Sequence, residues 1–122
     1  MDKTKLKELK RTYRHKRTRK KVVGTQQQPR LCVHRSLKNL SAQVVDDSTG
    51  KVLFGMSTLA KEIRAKIKNG GNISAASAFG EMFAAEAQKQ GIKKVCFDRG
   101  GYIYHGRVKA FAESVRKSGM EF

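Results

Sequence analysis

The apolar residues of this chain change their spacing near residue 58, and that change limits the folds open to it. Between Pro29 and Ser57 they alternate: Leu31 with Val33, then Leu40, Ala42 and Val44, then Val52, Phe54 and Met56. A period of two places each set on one face of a strand. From Leu59 onward they recur every three or four residues, as Leu59, Ile63, Ile67, then Ala76, Phe79, Gly80, Phe83, Ala87, then Val108, Phe111, Ala112, Val115. That is the spacing of amphipathic helices.

The strand-like half predicts a three-stranded antiparallel meander. PRLCVHRS places Leu31 and Val33 on one face and Cys32 and His34 on the other, and DDSTGK between the second and third runs is a strong turn signal. A short helix is expected over Leu59–Lys68, stopped by Asn69-Gly70-Gly71. The next helix is capped by Asn72 or Ser74, runs to about Gln90 and closes at Gly91; its small residues should let it lie close to a sheet. Ile92–Phe97 is a short apolar strand that follows a helix, which suits a parallel addition to the sheet. A last helix spans about Gly106 to Ser118. The expected fold class is α/β, a mixed sheet of three antiparallel strands plus one parallel strand packed with helices.

Charge divides the chain. Its 122 residues suit one compact domain, and its net charge is +17. Residues 1–21 hold eleven Lys or Arg against Asp2 and Glu8, a net +9; the remainder holds sixteen against eight, a net +8. Residues 1–28 therefore read as a basic arm and linker (VVGTQQQP), and residues 29–122 as the folded domain. Like charges at i, i+4 oppose an isolated arm helix, so the arm alone is expected to be disordered or partly helical and to order on a polyanion. Such an excess adds nothing to the fold and points to a polyanionic partner, with nucleic acid ahead of an anionic membrane or an acidic protein. No apolar run approaches the ~20 residues of a membrane span, and no signal-peptide pattern is visible. Cys32 and Cys96 lack CxxC partners and read as reduced core residues of a cytosolic protein; Cys32 and His34 share a strand face, but no second pair stands at ligand spacing, so no metal is expected.

The residues that could carry chemistry concentrate in FDRGGYIYHGRVKAF, residues 97–111. A metal-dependent nuclease needs converging carboxylates. Here Asp46 and Asp47 sit in a turn and Glu62, Glu81, Glu86 and Glu113 on helices, leaving Asp98 alone at a strand's C-terminal end. An Asp98–His105 acid–base pair would have no Ser or Cys nucleophile nearby in sequence. Phosphate recognition suits the stretch better. Gly100, Gly101 and Gly106 permit close backbone approach, Arg99 and Arg107 offer forked donors, and Tyr102 and Tyr104 could stack on bases or pack inward. Interleaved basic and aromatic residues favour RNA over duplex DNA. A second basic surface gathers Arg30, His34, Arg35, Lys38 and Asn39 around the first strand and its turn, where a solvated, charge-protected edge is the alternative reading.

QPRLCVHRSLKNLSAQVVDD and GIKKVCFDRGGYIYHGRVKAFAESVRKSGMEF closely resemble the bacterial-type large-subunit ribosomal protein eighteen family, which binds 5S rRNA. The resemblance implies a ribonuclease H-like α/β sandwich without catalytic carboxylates, cofactor or metal. It implies attachment of 5S rRNA to 23S rRNA in the central protuberance, beside a neighbouring 5S-binding ribosomal protein, by a monomer within the cytoplasmic ribosome. RNA-facing positions carry over to the arm (Lys10, Arg11, Arg14, His15, Lys16, Arg17, Arg19, Lys20, Lys21), to Arg30, His34, Arg35, Ser36 and Lys38, and to the Arg99–Arg107 stretch: Arg99, Gly100, Gly101, Tyr102, Tyr104, His105 and Arg107. The family commonly has an aromatic, an Asn and a Tyr where this chain has His34, Leu37 and Ser41.

Overall fold

The computed structural model describes residues 2–67 and 69–122. In chain order the elements are α1 (Lys3–Arg19), β1 (Arg30–Arg35), β2 (Leu40–Asp46), β3 (Lys51–Ser57), α2 (Lys61–Arg64), α3 (Ile73–Lys89), β4 (Cys96–Asp98) and α4 (Arg107–Lys117). The sheet order is β3-β2-β1-β4. β1 and β2 pair antiparallel, β2 and β3 likewise, and β4 joins β1 in parallel with Cys32 opposite Asp98. The mixed α/β sheet is the one the spacing predicts. None of the described helices is long and apolar enough to cross a membrane.

The core forms where the alternating strand faces meet the helical stripes. Leu31, Val33, Leu40, Ala42 and Val44 pack with Phe79, Phe83, Val108, Phe111 and Val115, all buried. Phe79 and Phe111 stack at 5.5 Å, and Phe83 meets Phe111 edge-on at 5.6 Å. Asn72 caps α3 by accepting from Ala75 N–H at 2.7 Å. The small stripe of α3 serves a different contact from the one expected. A Cβ on Gly80 would stand 2.8 Å from Ser114 Cβ and 2.9 Å from the Phe111 carbonyl, so the glycine lets α3 approach α4 rather than the sheet. Ser114 Oγ seals that crossing by donating to the Ser77 carbonyl at 2.6 Å.

Three sequence expectations change. Val52 does not share a face with Phe54 and Met56. The β2–β3 register shifts between Val44↔Phe54 and Val45↔Val52, so Leu53 is an extra residue and the strand's phase flips there. The helix expected over Leu59–Lys68 is the single turn α2. Leu59 is 57% exposed, Ala60 caps the turn without a side-chain hydrogen bond, and Ile63 and Ile67 alone reach the core; Lys68 lies outside the described residues. The last strand is shorter than Ile92–Phe97, although Ile92 and Val95 are buried ahead of it. The N-terminal segment is helical throughout Lys3–Arg19, capped by Asp2 accepting from Lys5 N–H at 2.8 Å, and it buries no residue.

Candidate nucleic-acid interface

Asp98 organises the site. It ends β4 with 0% exposure, and each carboxylate oxygen has a fixed duty. Oδ1 accepts from Gly100 N–H at 2.9 Å, closing the turn; Oδ2 accepts from Arg30 Nη1 at 2.8 Å and His15 Nε2 at 2.9 Å. Burial pushes this carboxyl upward, but the Gly100 amide, His15 and Arg30 more than offset it, and its pKa lies below the ordinary value. Asp98 thus holds the loop in shape, and its salt-bridge partner is Arg30 rather than the adjacent Arg99.

Arg30 itself is buried and bridges two carboxylates. Its Nε and Nη2 donate to Asp47 at 3.0 and 3.2 Å. Asp47 also accepts from Gly24 N–H at 2.7 Å and from Arg19 Nη2 at 3.4 Å, which ties the linker and the end of α1 to the β2–β3 turn. Arg30 holds the Asp47 carboxyl below its usual range, against the opposing effect of partial burial. The sequence offers a turn role for Asp47 but no signal for this long-range one, because Arg19 and Arg30 approach it only in the folded chain.

The arm helix rests on the glycine turn. Arg11 Nη1 donates to the Gly100 carbonyl at 3.1 Å and Arg14 Nε to the Gly101 carbonyl at 3.0 Å. Both glycines have positive φ, 69° and 82°. A Cβ on Gly101 would come within 2.5 Å of the Arg11 carbonyl and 2.9 Å of His15 Cβ, so glycine there makes room for α1. These three side chains anchor a helix that has no buried face of its own.

Tyr102 joins the arm, β1 and the loop. It is 7% exposed; Arg11 and Arg35 place their guanidinium carbons 5.1 and 5.0 Å from its ring centroid. Its Oη lies 3.0 Å from His34 Nδ1, accepts from Arg35 N–H at 3.3 Å and lies 3.2 Å from the Arg35 carbonyl. Of the two tyrosines, this is the one that packs inward. Tyr104 is half-buried edge-on to Phe97 at 6.3 Å. Arg107 donates to the carbonyls of Ser36 (2.8 Å), Gly70 (3.3 Å) and Asn39 (3.4 Å), clamping the β1–β2 turn to the loop before α3; burial, with Arg35 nearby, presses its pKa down.

The sequence-derived candidates therefore fall into two groups. Arg30, Gly100, Gly101 and Tyr102 are buried, and Arg11, Arg14, His15, Arg19, Asn39, Tyr104 and Arg107 are half-buried, most of them engaged in holding the chain together. Lys10, Lys16, Arg17, Lys20, Lys21, His34, Arg35, Ser36, Lys38, Arg99 and His105 face outward. Among the described residues, none of these outward candidate Lys and Arg side chains forms an ion pair within the chain. Cys32 and Cys96 are free and half-buried. His34 shares a face with Cys32, as expected, but its Nδ1 is occupied by the Tyr102 hydroxyl.

A strongly basic α/β domain with an anchored basic helix is, by class, a polyanion-binding module. The family model described as "Ribosomal L18 of archaea, bacteria, mitoch. and chloroplast" matches residues 5–122. The chain is 54% identical over 112 residues to the large ribosomal subunit protein uL18 of Pelotomaculum thermopropionicum, covering 92% of each chain. It is 52% identical over 112 residues to the protein of that name from Dictyoglomus thermophilum, again covering 92% of each. Against that of Thermotoga petrophila it is 50% identical over 122 residues, the full length of both. The chain belongs to the ribosomal L18 family.

Proposed function

We propose that this chain is a structural, non-catalytic constituent of the large ribosomal subunit that binds 5S rRNA and helps attach it to 23S rRNA in the central protuberance. Residues 1–28 act as the RNA-binding arm and linker. Residues 29–122 act as the 5S-binding domain, a sandwich of ribonuclease H-like type that works as a monomer in the cytoplasmic ribosome beside a second 5S-binding protein. Family membership supports this reading. The observation that carries it is the convergence on Tyr102, where Arg11 of the arm and Arg35 of β1 flank one ring of the glycine loop. Three segments that resemble the family's RNA-facing positions are thereby held in one place. The buried Asp98 and its partners set their shape, while the outward lysines and arginines meet phosphates and His34, Arg35 and Ser36 lie at the rim.

The test is binding of 5S rRNA by the full chain across a salt series, against an unrelated folded RNA of equal length. With about six to ten phosphates contacted, affinity should fall roughly 10³-fold or more between 50 and 200 mM salt. Deleting residues 1–21 should flatten that slope and weaken binding while the domain stays folded. Equal affinity for both RNAs would remove the 5S assignment, and a flat salt response would remove the electrostatic one.

A further inference from the structure

We propose that His15, Cys32 and Asp98 form a site for a thiophilic divalent cation of the zinc class, which clamps the arm helix to the sheet. One ligand atom from each residue lies within 4.8 Å of the other two. They come from three elements, α1, β1 and β4, and Cys32 faces Asp98 across the parallel β1–β4 pair. A cleft of about 890 Å³ is lined by His15 and Cys32, with Asp98 fully buried outside its lining, so an ion from solvent meets the first two ligands directly and a water can remain as its fourth ligand on the cleft side.

The donor set is one sulfur, one imidazole nitrogen and one carboxylate oxygen. Magnesium and calcium prefer oxygen alone, whereas zinc takes all three types. Tetrahedral zinc with a Zn–S bond of about 2.3 Å and Zn–N and Zn–O bonds of about 2.0–2.1 Å sets its ligands roughly 3.3–3.7 Å apart. His15 Nε2 and Asp98 Oδ2 stand 2.9 Å apart, so the cation enters by replacing their hydrogen bond and the pair opens slightly. The imidazole proton shifts to Nδ1, and the thiol proton leaves to solvent. Burial, followed by the charge of Asp98, pushes the Cys32 thiol up to about 11. A dication counteracts both effects by stabilising the thiolate directly. Arg30 donates to the same Oδ2 but keeps two bonds to Asp47, so it remains in place and tempers affinity through its charge.

The full chain carrying Cys96→Ser, titrated with Co²⁺ and then Zn²⁺, tests this. A thiolate-to-cobalt charge-transfer absorption should appear at one ion per chain and be displaced by Zn²⁺. The absorption should vanish in Cys32→Ser. In His15→Gln, affinity should weaken by more than the roughly 10–100-fold that loss of an outer-sphere partner costs. Circular dichroism checks that both variants fold, and Zn²⁺ protection of Cys32 from alkylation gives a readout on the chain without either substitution. Absence of the band in folded protein at millimolar cobalt, its survival in Cys32→Ser, or an affinity loss in His15→Gln no larger than that of an outer-sphere partner would overturn the proposal.

Discussion

α1 and α3 are each 17 residues long, and they are held in opposite ways. α3 buries Ala75, Ala76, Phe79, Gly80, Phe83, Ala84 and Ala87; α1 buries nothing. Dispersion and apolar burial fix α3, and neither depends on a titrating group. α1 is fixed by Arg11, Arg14, His15 and Arg19 reaching two carbonyls and two carboxylates. Its attachment is polar and local, so it can be loosened without unfolding the core. A helix with a stripe of Lys and Arg on a basic protein has no apolar face to spend; it borrows rigidity from a loop that is itself held by Asp98.

Substitutions should separate the two helices by the size and kind of their effect. Phe83→Ala should cost about 3–5 kcal/mol and lower the melting temperature of the whole domain, because Phe83 is fully buried among Phe54, Phe79 and Phe111. A melting curve as cooperative and as high as that of the unaltered chain would mean that α3 is not the core helix. Asp98→Ala should cost about 3 kcal/mol, since it removes one of the two carboxylates that pair the buried Arg30, leaving Nη1 without its acceptor, as well as freeing His15. The corresponding pH dependence has a definite sign. A carboxyl held below its ordinary value stabilises the fold fully above the unfolded pKa of about 4, and that contribution is lost as pH falls through the folded value. Acid titration followed by denaturant melts should therefore show stability lost below about pH 4, by less in Asp98→Ala than in the unaltered chain.

Smaller effects should fall mainly on the arm. Gly101→Ala forces a side chain into positive φ and against α1; it should expose the arm to protease and lower the melting of the domain only by the roughly 1–2 kcal/mol of the strained loop residue, less than Phe83→Ala. Equal protease resistance would show that the arm does not depend on the glycine turn. Asp2→Ala removes the cap of α1 and should cost that helix about 1 kcal/mol, visible as fraying of its first turn in amide hydrogen exchange and not in the melting of the domain.

Legibility in the sequence followed the range of the interaction. The alternating faces of β1 and β2, the cap at Asn72, the stripe of α4 and the parallel placement of β4 all express local periodicity or short-range connection rules, and all can be read in one dimension. The β3 bulge at Leu53 and the shortness of α2 cannot, because a register shift and a chain reversal are settled by what packs against them. Within the site, the glycines, arginines and tyrosines of residues 97–111 stand out from composition alone. Their division of labour does not: Arg99 faces outward and Arg107 is bonded to three carbonyls, although the two are chemically identical in the sequence.

The amino-acid sequence by itself determined the strand-then-helix order, the basic arm and the family, because these rest on residue type and spacing. Tertiary structure alone decided that Arg30 joins Asp47 to Asp98, that Tyr102 lies between Arg11 and Arg35, and that Gly101 makes room for an arm more than eighty residues away in the chain. Those pairings depend on desolvation and on distances set by chain closure. A charge becomes committed to one partner only when folding removes the water that would otherwise serve it equally well.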